Sequence, residues 1–251
     1  MHEVMSDPDV RALYEGQRPG FVGILDPIDD VLFMNYPCRD NEIMNYAIVH
    51  NSKQSSHELT SWNEPVSWTE ILDTAHAFHP TAKKMLKMTS HLDSDIKVHH
   101  LTKRAPLSSF VHGRAVVIGD AAHTMMPTHA AGGAVTIESA AAMEVLFDKV
   151  SDEGVIADRL KLFDKVRVGR CNMAMILSNS GFAGVKIPGV LEELRRYYDG
   201  PLPPEGAMPW SPESREVFFN YDAFEEARKV LVEEKDEGDK KFCLVDENGI
   251  A

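Results

Sequence analysis

The stretch GRAVVIGDAAHTMMPTHAAGGAVTIESAAA, residues 113–142, decides the fold. Ala115-Val-Val-Ile118 is short, apolar and β-branched, which predicts a strand buried inside a sheet. Asp120 follows at the strand's carboxyl end, behind Gly119. A short loop closed by Pro127 then leads to Gly132-Gly133, where a helix opens. Open α/β sheets place ligands outside the carboxyl ends of their strands. A helix start offers unpaired N–H groups and a partial positive charge. A carboxylate that can accept from ribose-type hydroxyls, beside donors suited to anionic groups, points to a nucleotide. The same order also fits a strand–loop–helix unit with a glycine turn and no ligand.

The core Gly119-Asp120-Ala121-Ala122-His123, with Pro127, Gly132 and Ile137-Glu138, resembles the second FAD-binding motif of the flavin-dependent aromatic hydroxylases. These are single-component monooxygenases of the salicylate hydroxylase type. The resemblance implies an α/β fold: a partial FAD-binding domain (Rossmann-like, of the glutathione-reductase type), a mixed β-sheet substrate domain and C-terminal helices. It implies that Asp120 holds a hydroxyl of the ribityl chain. It also implies that the loop from Pro127 to Gly133 approaches the pyrophosphate and the flavin ring. Asp120, Pro127, Gly132 and Gly133 are therefore the candidate cofactor-binding residues. The implied cofactors are FAD and, as reductant, NAD(P)H. The flavin carries the hard chemistry in such enzymes, so no side chain is expected to be an essential acid or base.

The likeness runs from about Val31 to Val232 by motif reading. Val31 to Val49 looks like the family's paired strands around a Tyr36-Pro37-Cys38-Arg39 turn. Leu32, Met34 and Tyr36 alternate as in a strand, Ile43 to Val49 reads as the next, and Asp40-Asn41 supplies turn chemistry. Phe163 to Arg170 is similar to the family's arginine-bearing helix, and Phe218 to Ala223 to its closing Tyr-Asp segment. No G-x-G-x-x-G and no family Asp-Gly pair occur. The chain is thus expected to correspond to the latter part of such an enzyme, beginning within its substrate-binding sheet. Residues 1–110 are read as the remainder of that sheet domain. Residues 111–180 are read as the FAD-motif strand–loop–helix with the long helix after it, and 181–251 as C-terminal helices and a polar tail.

Three functions follow. One is an FAD-dependent monooxygenase hydroxylating an aromatic or polyketide-like small molecule with NAD(P)H and O2, in secondary metabolism. Another is a non-redox descendant that uses the pocket for cyclisation, isomerisation or binding. The third is an inactive remnant that no longer holds FAD. A homo-oligomer or a complementing chain is an expected partner, because half a sheet leaves an open edge.

Bulk properties narrow the field. With 26 Lys and Arg against 39 Asp and Glu, the formal charge of −13 disfavours nucleic acid and anionic membrane surfaces. Cys38, Cys171 and Cys243 are widely spaced and odd in number, which suits a reduced, cytoplasmic setting. No apolar run approaches the ~20 residues of a membrane span, and the start lacks a signal-peptide pattern. There is no G-x-S-x-G elbow. His76 and His79 lack a third ligand nearby, and His99-His100 would point to opposite faces, so no metal site is expected.

The remaining pattern places elements. Residues 1–20 read as loose or as a displaced edge. Three short strands fill Gly20 to Val49, and Asn51 to Ser61 is a polar loop. A helix begins at Ser67, with Glu70 at capping-box spacing, and Pro80 opens another. Ile96 to Leu101 can be a strand. Helices are predicted over Ala134–Val150, Val155–Ser178, Leu191–Tyr198 and Asp222–Glu234, followed by a solvated charge run, Lys235–Lys241. Ile156, Leu160, Phe163 and Val166 form one stripe of the second of these. His123 is expected to shape its loop. His129 faces either the site or solvent. Arg167 and Arg170 are expected to pair with neighbouring carboxylates. Arg39 is either solvated or aimed at a substrate carboxylate. Phe33 and Tyr36 belong to the core or to an aromatic pocket.

Overall fold

The computed structural model describes residues 2–16, 20–51, 63–91, 96–181 and 184–247, with side chains as far as Lys235. The predicted loop 51–61 falls almost wholly outside them. The chain divides into two compact units, Met1–His100 and Leu101–Ala251.

The first unit is built on an antiparallel sheet, β1 (Val22–Asp26), β2 (Val31–Cys38) and β3 (Ile43–Val49), in the order β1-β2-β3. The central strand is buried on both faces from Val31 to Asn35. The turn between β2 and β3 holds Arg39, Asp40 and Asn41 at φ of 47°, 52° and 66°, a left-handed run that Asp and Asn tolerate.

Residues 2–12, expected to be loose or a displaced edge, instead form α1 (His2–Ser6) and α2 (Pro8–Ala12). Asp7 caps α2, its Oδ1 accepting from the backbone N–H of Asp9 and Val10 at 3.0 and 3.2 Å. Val4 and Val10 pack into the core with Phe33, Phe78 and Met85. Five-residue helices are too short for hydrophobic periodicity to show, so the cap and two valines were the only signal.

Ser67 and Glu70 form the predicted reciprocal capping box of α3 (Trp68–Thr74). Pro80 opens α4 (Pro80–Lys87), which buries Ala82, Met85 and Leu86. A short ladder pairs β4 (Asn63–Pro65) with β5 (Lys97–His99).

The second unit is helical. A hairpin of β6 (Val111–His112) and β7 (Ala115–Val116) precedes α5 (Asp120–His123), α6 (Gly132–Leu146), α7 (Ile156–Asn179), α8 (Val190–Tyr197), α9 (Pro212–Phe219) and α10 (Ala223–Glu247). One core runs from Phe110 through Ala227, spanning both sides of residue 180. α7 is its axis. Leu160, Phe163 and Val166 form the expected stripe, but every residue from Arg170 to Ser178 is buried, because other helices pack around that half. A Cβ on Gly169 would lie 2.7 Å from the Tyr197 carbonyl oxygen, so this glycine permits the close approach of α8.

Two expectations fail here. The strand predicted as interior, Ala115–Ile118, is paired over Ala115–Val116 alone, and Val117 and Ile118 are 40% and 46% exposed. Among the described residues β7 pairs only with β6. Apolar β-branched sequence favours a strand, but burial requires a neighbour on each face. The second failure is the end of the last helix, predicted at Glu234, for α10 runs on through the charge run to Glu247. Lys, Glu and Asp are compatible with a helix, and the lone Gly238 costs only about 1 kcal/mol, too little to end it. No helix of the described residues is long and apolar enough to cross a membrane.

Candidate functional site

The signature loop is assembled by backbone geometry. Gly119 sits at φ 60°, ψ −145°, a conformation that L side chains rarely adopt. It lies against α6, for a Cβ there would meet the Thr136 side chain at 3.6 Å. Asp120, the next residue, opens α5 with its side chain exposed to solvent. The single turn of α5 is held from behind. The N–H groups of Ala122 and His123 donate to the Gly119 carbonyl at 2.8 and 2.9 Å. The Arg104 guanidinium donates to the carbonyls of Ala121, at 3.1 Å, and Ala122.

Pro127 starts a 3-10 turn ending at His129, and Ala130 closes it at φ 48°. Asn179 fixes this turn to the end of α7, its Oδ1 accepting from the Met126 N–H at 2.9 Å. α6 then opens at Gly132 with no side-chain cap, and its first ladder bond is from Val135 N–H to the Ala131 carbonyl at 2.9 Å. The N–H groups of Gly132, Gly133 and Ala134 are therefore left outside the ladder. A Cβ on Gly133 would meet nothing within 4 Å, so that end faces open space. The structure thus places an exposed carboxylate at a glycine turn packed on α6, the helix whose start presents donors and positive potential.

Both loop histidines are buried. His129 stacks on Phe218, centroids 4.6 Å apart, with the Ser178 hydroxyl 3.4 Å from Nδ1. It is not the solvent-exposed loop residue that was one alternative. Burial pushes its pKa down to about 4. His123, the last residue of α5, is fully buried, and neither ring nitrogen has a partner among the described residues. Burial, and then the nearby Arg167 charge, lower its pKa. Both rings are neutral at physiological pH, the natural state for an imidazole that cannot be hydrated.

Arg167 and Arg170 do pair with a carboxylate, but in the interior. Glu138 of α6 accepts from Arg167 Nη2 at 2.8 Å, and from Arg170 Nε and Nη2 at 3.1 and 2.8 Å. The two arginine side chains are 0% and 2% exposed. Ser139, one step on, accepts from Arg167 Nε at 3.2 Å.

The other candidates belong to the first unit. Arg39 is exposed at its turn in the first unit. Phe33 is core, edge-on to Tyr46 at 5.4 Å, while Tyr36 stacks at the surface on Phe21. His79 caps α4, and His76 lies 3.5 Å from Asp29. No group of three potential metal ligands occurs among the described residues. Arg104 and Asn179 escaped the sequence reading, because a lone Arg in a coil and a helix-terminal Asn carry no local pattern.

The FAD binding domain family matches residues 1–163 of this chain. The FAD-dependent monooxygenase phomE' of Diaporthe leptostromiformis is 31% identical over 78% of the chain and 47% of that protein. The FAD-dependent monooxygenase cfoG of Aspergillus candidus is 27% identical over 91% of the chain and 50% of that protein. Among solved structures, a salicylate hydroxylase in complex with substrate superposes with a TM-score of 0.62 at 25% identity. That match covers 88% of this chain and 53% of that one. The chain spans about half the length of the relatives it matches.

Proposed function

Since the chain belongs to the FAD-binding-domain family, we propose that its Asp120 loop holds the flavin–ribityl part of FAD within a flavin-dependent monooxygenase. The observation that carries this reading is the exposed Asp120 at a Gly119 turn packed on α6, with the uncapped start of that helix open to space. The residues fit that part of the cofactor. Asp120 can accept from a ribityl hydroxyl. The N–H groups of Gly132 and Gly133 can donate to anionic oxygen, and Pro127 sets the turn that leads into them. No G-x-G-x-x-G occurs in the sequence, and these residues are assigned to the flavin–ribityl part alone.

Bound flavin would supply electron transfer from NAD(P)H and activation of O2. The chain's own residues bind, orient and exclude water. Neutral, buried His123 and His129 keep the rear of the loop free of titrating protons near pH 7. The substrate class we propose is an aromatic or polyketide-like small molecule of secondary metabolism, in a cytoplasmic setting.

Titration of FAD into the purified chain, read by flavin fluorescence and visible absorbance, tests the proposal. Asp120→Ala should weaken binding about tenfold, the loss of one charge-assisted hydrogen bond of ~1.5 kcal/mol. Unchanged affinity would remove Asp120 from the site. No binding by a folded wild-type chain would favour a non-redox use of the fold.

A further inference from the structure

Behind the loop lies a charge cluster to which the binding role gives no task. Two buried guanidiniums, permanently charged, share the single carboxylate of Glu138. Their other acceptors are neutral. Arg167 Nη2 donates to the Val135 carbonyl at 2.9 Å, and Arg170 donates to the carbonyls of Val217 and Phe218 at 2.9 and 2.7 Å. Both lie over the ring of Tyr221, at 5.4 and 4.6 Å. That phenol is kept neutral by burial, its pKa pushed up to about 12, and burial likewise keeps the Cys171 thiol protonated. Glu226, which also acts on Tyr221, is paired with Lys229 at 2.7 Å. Arg167 Nη1 is buried with no acceptor among the described residues. The cluster therefore retains about one uncompensated positive charge in the interior.

Its position matters. The Val135 carbonyl belongs to the first turn of α6, so at ~1.5 Å per residue the charge lies on the order of 10 Å from the N–H groups of Gly132 and Gly133. It adds to the helix dipole, whose positive end is the same end. We infer that the Arg167–Arg170–Glu138 cluster makes the start of α6 select an anionic ligand over a neutral one of the same shape. The inference rests on the reading of that helix start as the cofactor-facing end. At ~10 Å and an effective dielectric of ~20, one charge corresponds to about tenfold in the affinity of a monoanion, and solvent screening reduces this to several-fold.

The test compares FAD with riboflavin, which has the same ring and ribityl chain but lacks the charged adenosine diphosphate, and reads how the ratio changes between the full chain and three variants. Glu138→Gln adds net positive charge and should raise the ratio of FAD to riboflavin affinity. Arg170→Gln removes charge and should lower that ratio several-fold. Arg170→Lys breaks the same fork but keeps the charge, so its ratio should stay within about twofold of wild type. Equal ratios in Arg170→Gln and Arg170→Lys, or a fall in Glu138→Gln, would overturn the inference and leave a purely structural clamp.

A second arm needs no flavin, so a failure of the flavin reading is seen separately. A Gly133→His substitution has room for its side chain and provides a probe imidazole, titrated by NMR. Added Glu138→Gln should lower the probe's pKa by a few tenths, and added Arg170→Gln should raise it by a similar amount. Shifts of the same sign, or none, would overturn the inference whether or not FAD binds.

Discussion

Acidification should destabilise this protein through His129, and the size of the effect follows from its burial. The imidazole is 5% exposed and stacked on Phe218. Its pKa falls from an ordinary 6.5 to about 4 in the fold. Well above pH 6.5 the ring is neutral in both states and confers no pH dependence. Between the two values the unfolded chain takes up a proton that the folded chain refuses, so stability falls as the pH falls. The loss is about 2 kcal/mol at pH 5 and approaches about 3.4 kcal/mol below pH 4. Urea unfolding at about pH 7.5 and about pH 5 measures it, with His129→Phe as the comparison. Phenylalanine keeps the stacked ring and cannot titrate, at the expense of the 3.4 Å contact with Ser178. With a slope of ~2 kcal/mol per molar urea, the wild-type midpoint should drop about 1 M further than that of the variant. Every other titrating group, His123 included, cancels in the comparison. Equal drops in the two proteins, within about 0.3 M, would refute the reasoning.

Two further substitutions probe the helical unit. Glu138→Gln leaves two buried guanidiniums with half an acceptor and should cost about 3 kcal/mol in urea unfolding; a loss below about 1 kcal/mol would mean that solvent reaches the cluster. Gly169→Ala drives a methyl group to 2.7 Å from the Tyr197 carbonyl oxygen and should destabilise by about 2 kcal/mol despite alanine's better helix propensity. A stabilised variant would show that α8 can move away at little cost.

The elements that could be read from the chain are those with local causes. Ser67 and Glu70 sit at capping-box spacing, and the box forms. Pro80 occupies the first turn of its helix. The stripe Leu160, Phe163, Val166 holds for the first half of α7 and is lost where neighbouring helices cover every side of the second half. The pairing of Arg167 and Arg170 with a carboxylate was legible, but not its burial or its partner. Glu138 is distant in sequence and becomes adjacent only when α6 packs on α7. Arg104 and Asn179, which clamp the loop from either side, were invisible for the same reason.

By itself the sequence determined the order strand, glycine, carboxylate, turn and helix across residues 113–142, because φ preferences, caps and apolar runs act over a few residues. The resemblance of those residues to a known motif implied the family, the cofactor class and the four candidate contacts. Only the tertiary structure decided which groups share an environment. It buried His123 and His129, which sequence could only place on a loop, and so set their charge. It left Val117 and Ile118 exposed although their composition favours an interior, because a strand is buried by its neighbours and not by its own side chains. It also gathered two guanidiniums on one carboxylate behind α6, since desolvation and charge pairing depend on distances that chain order does not contain.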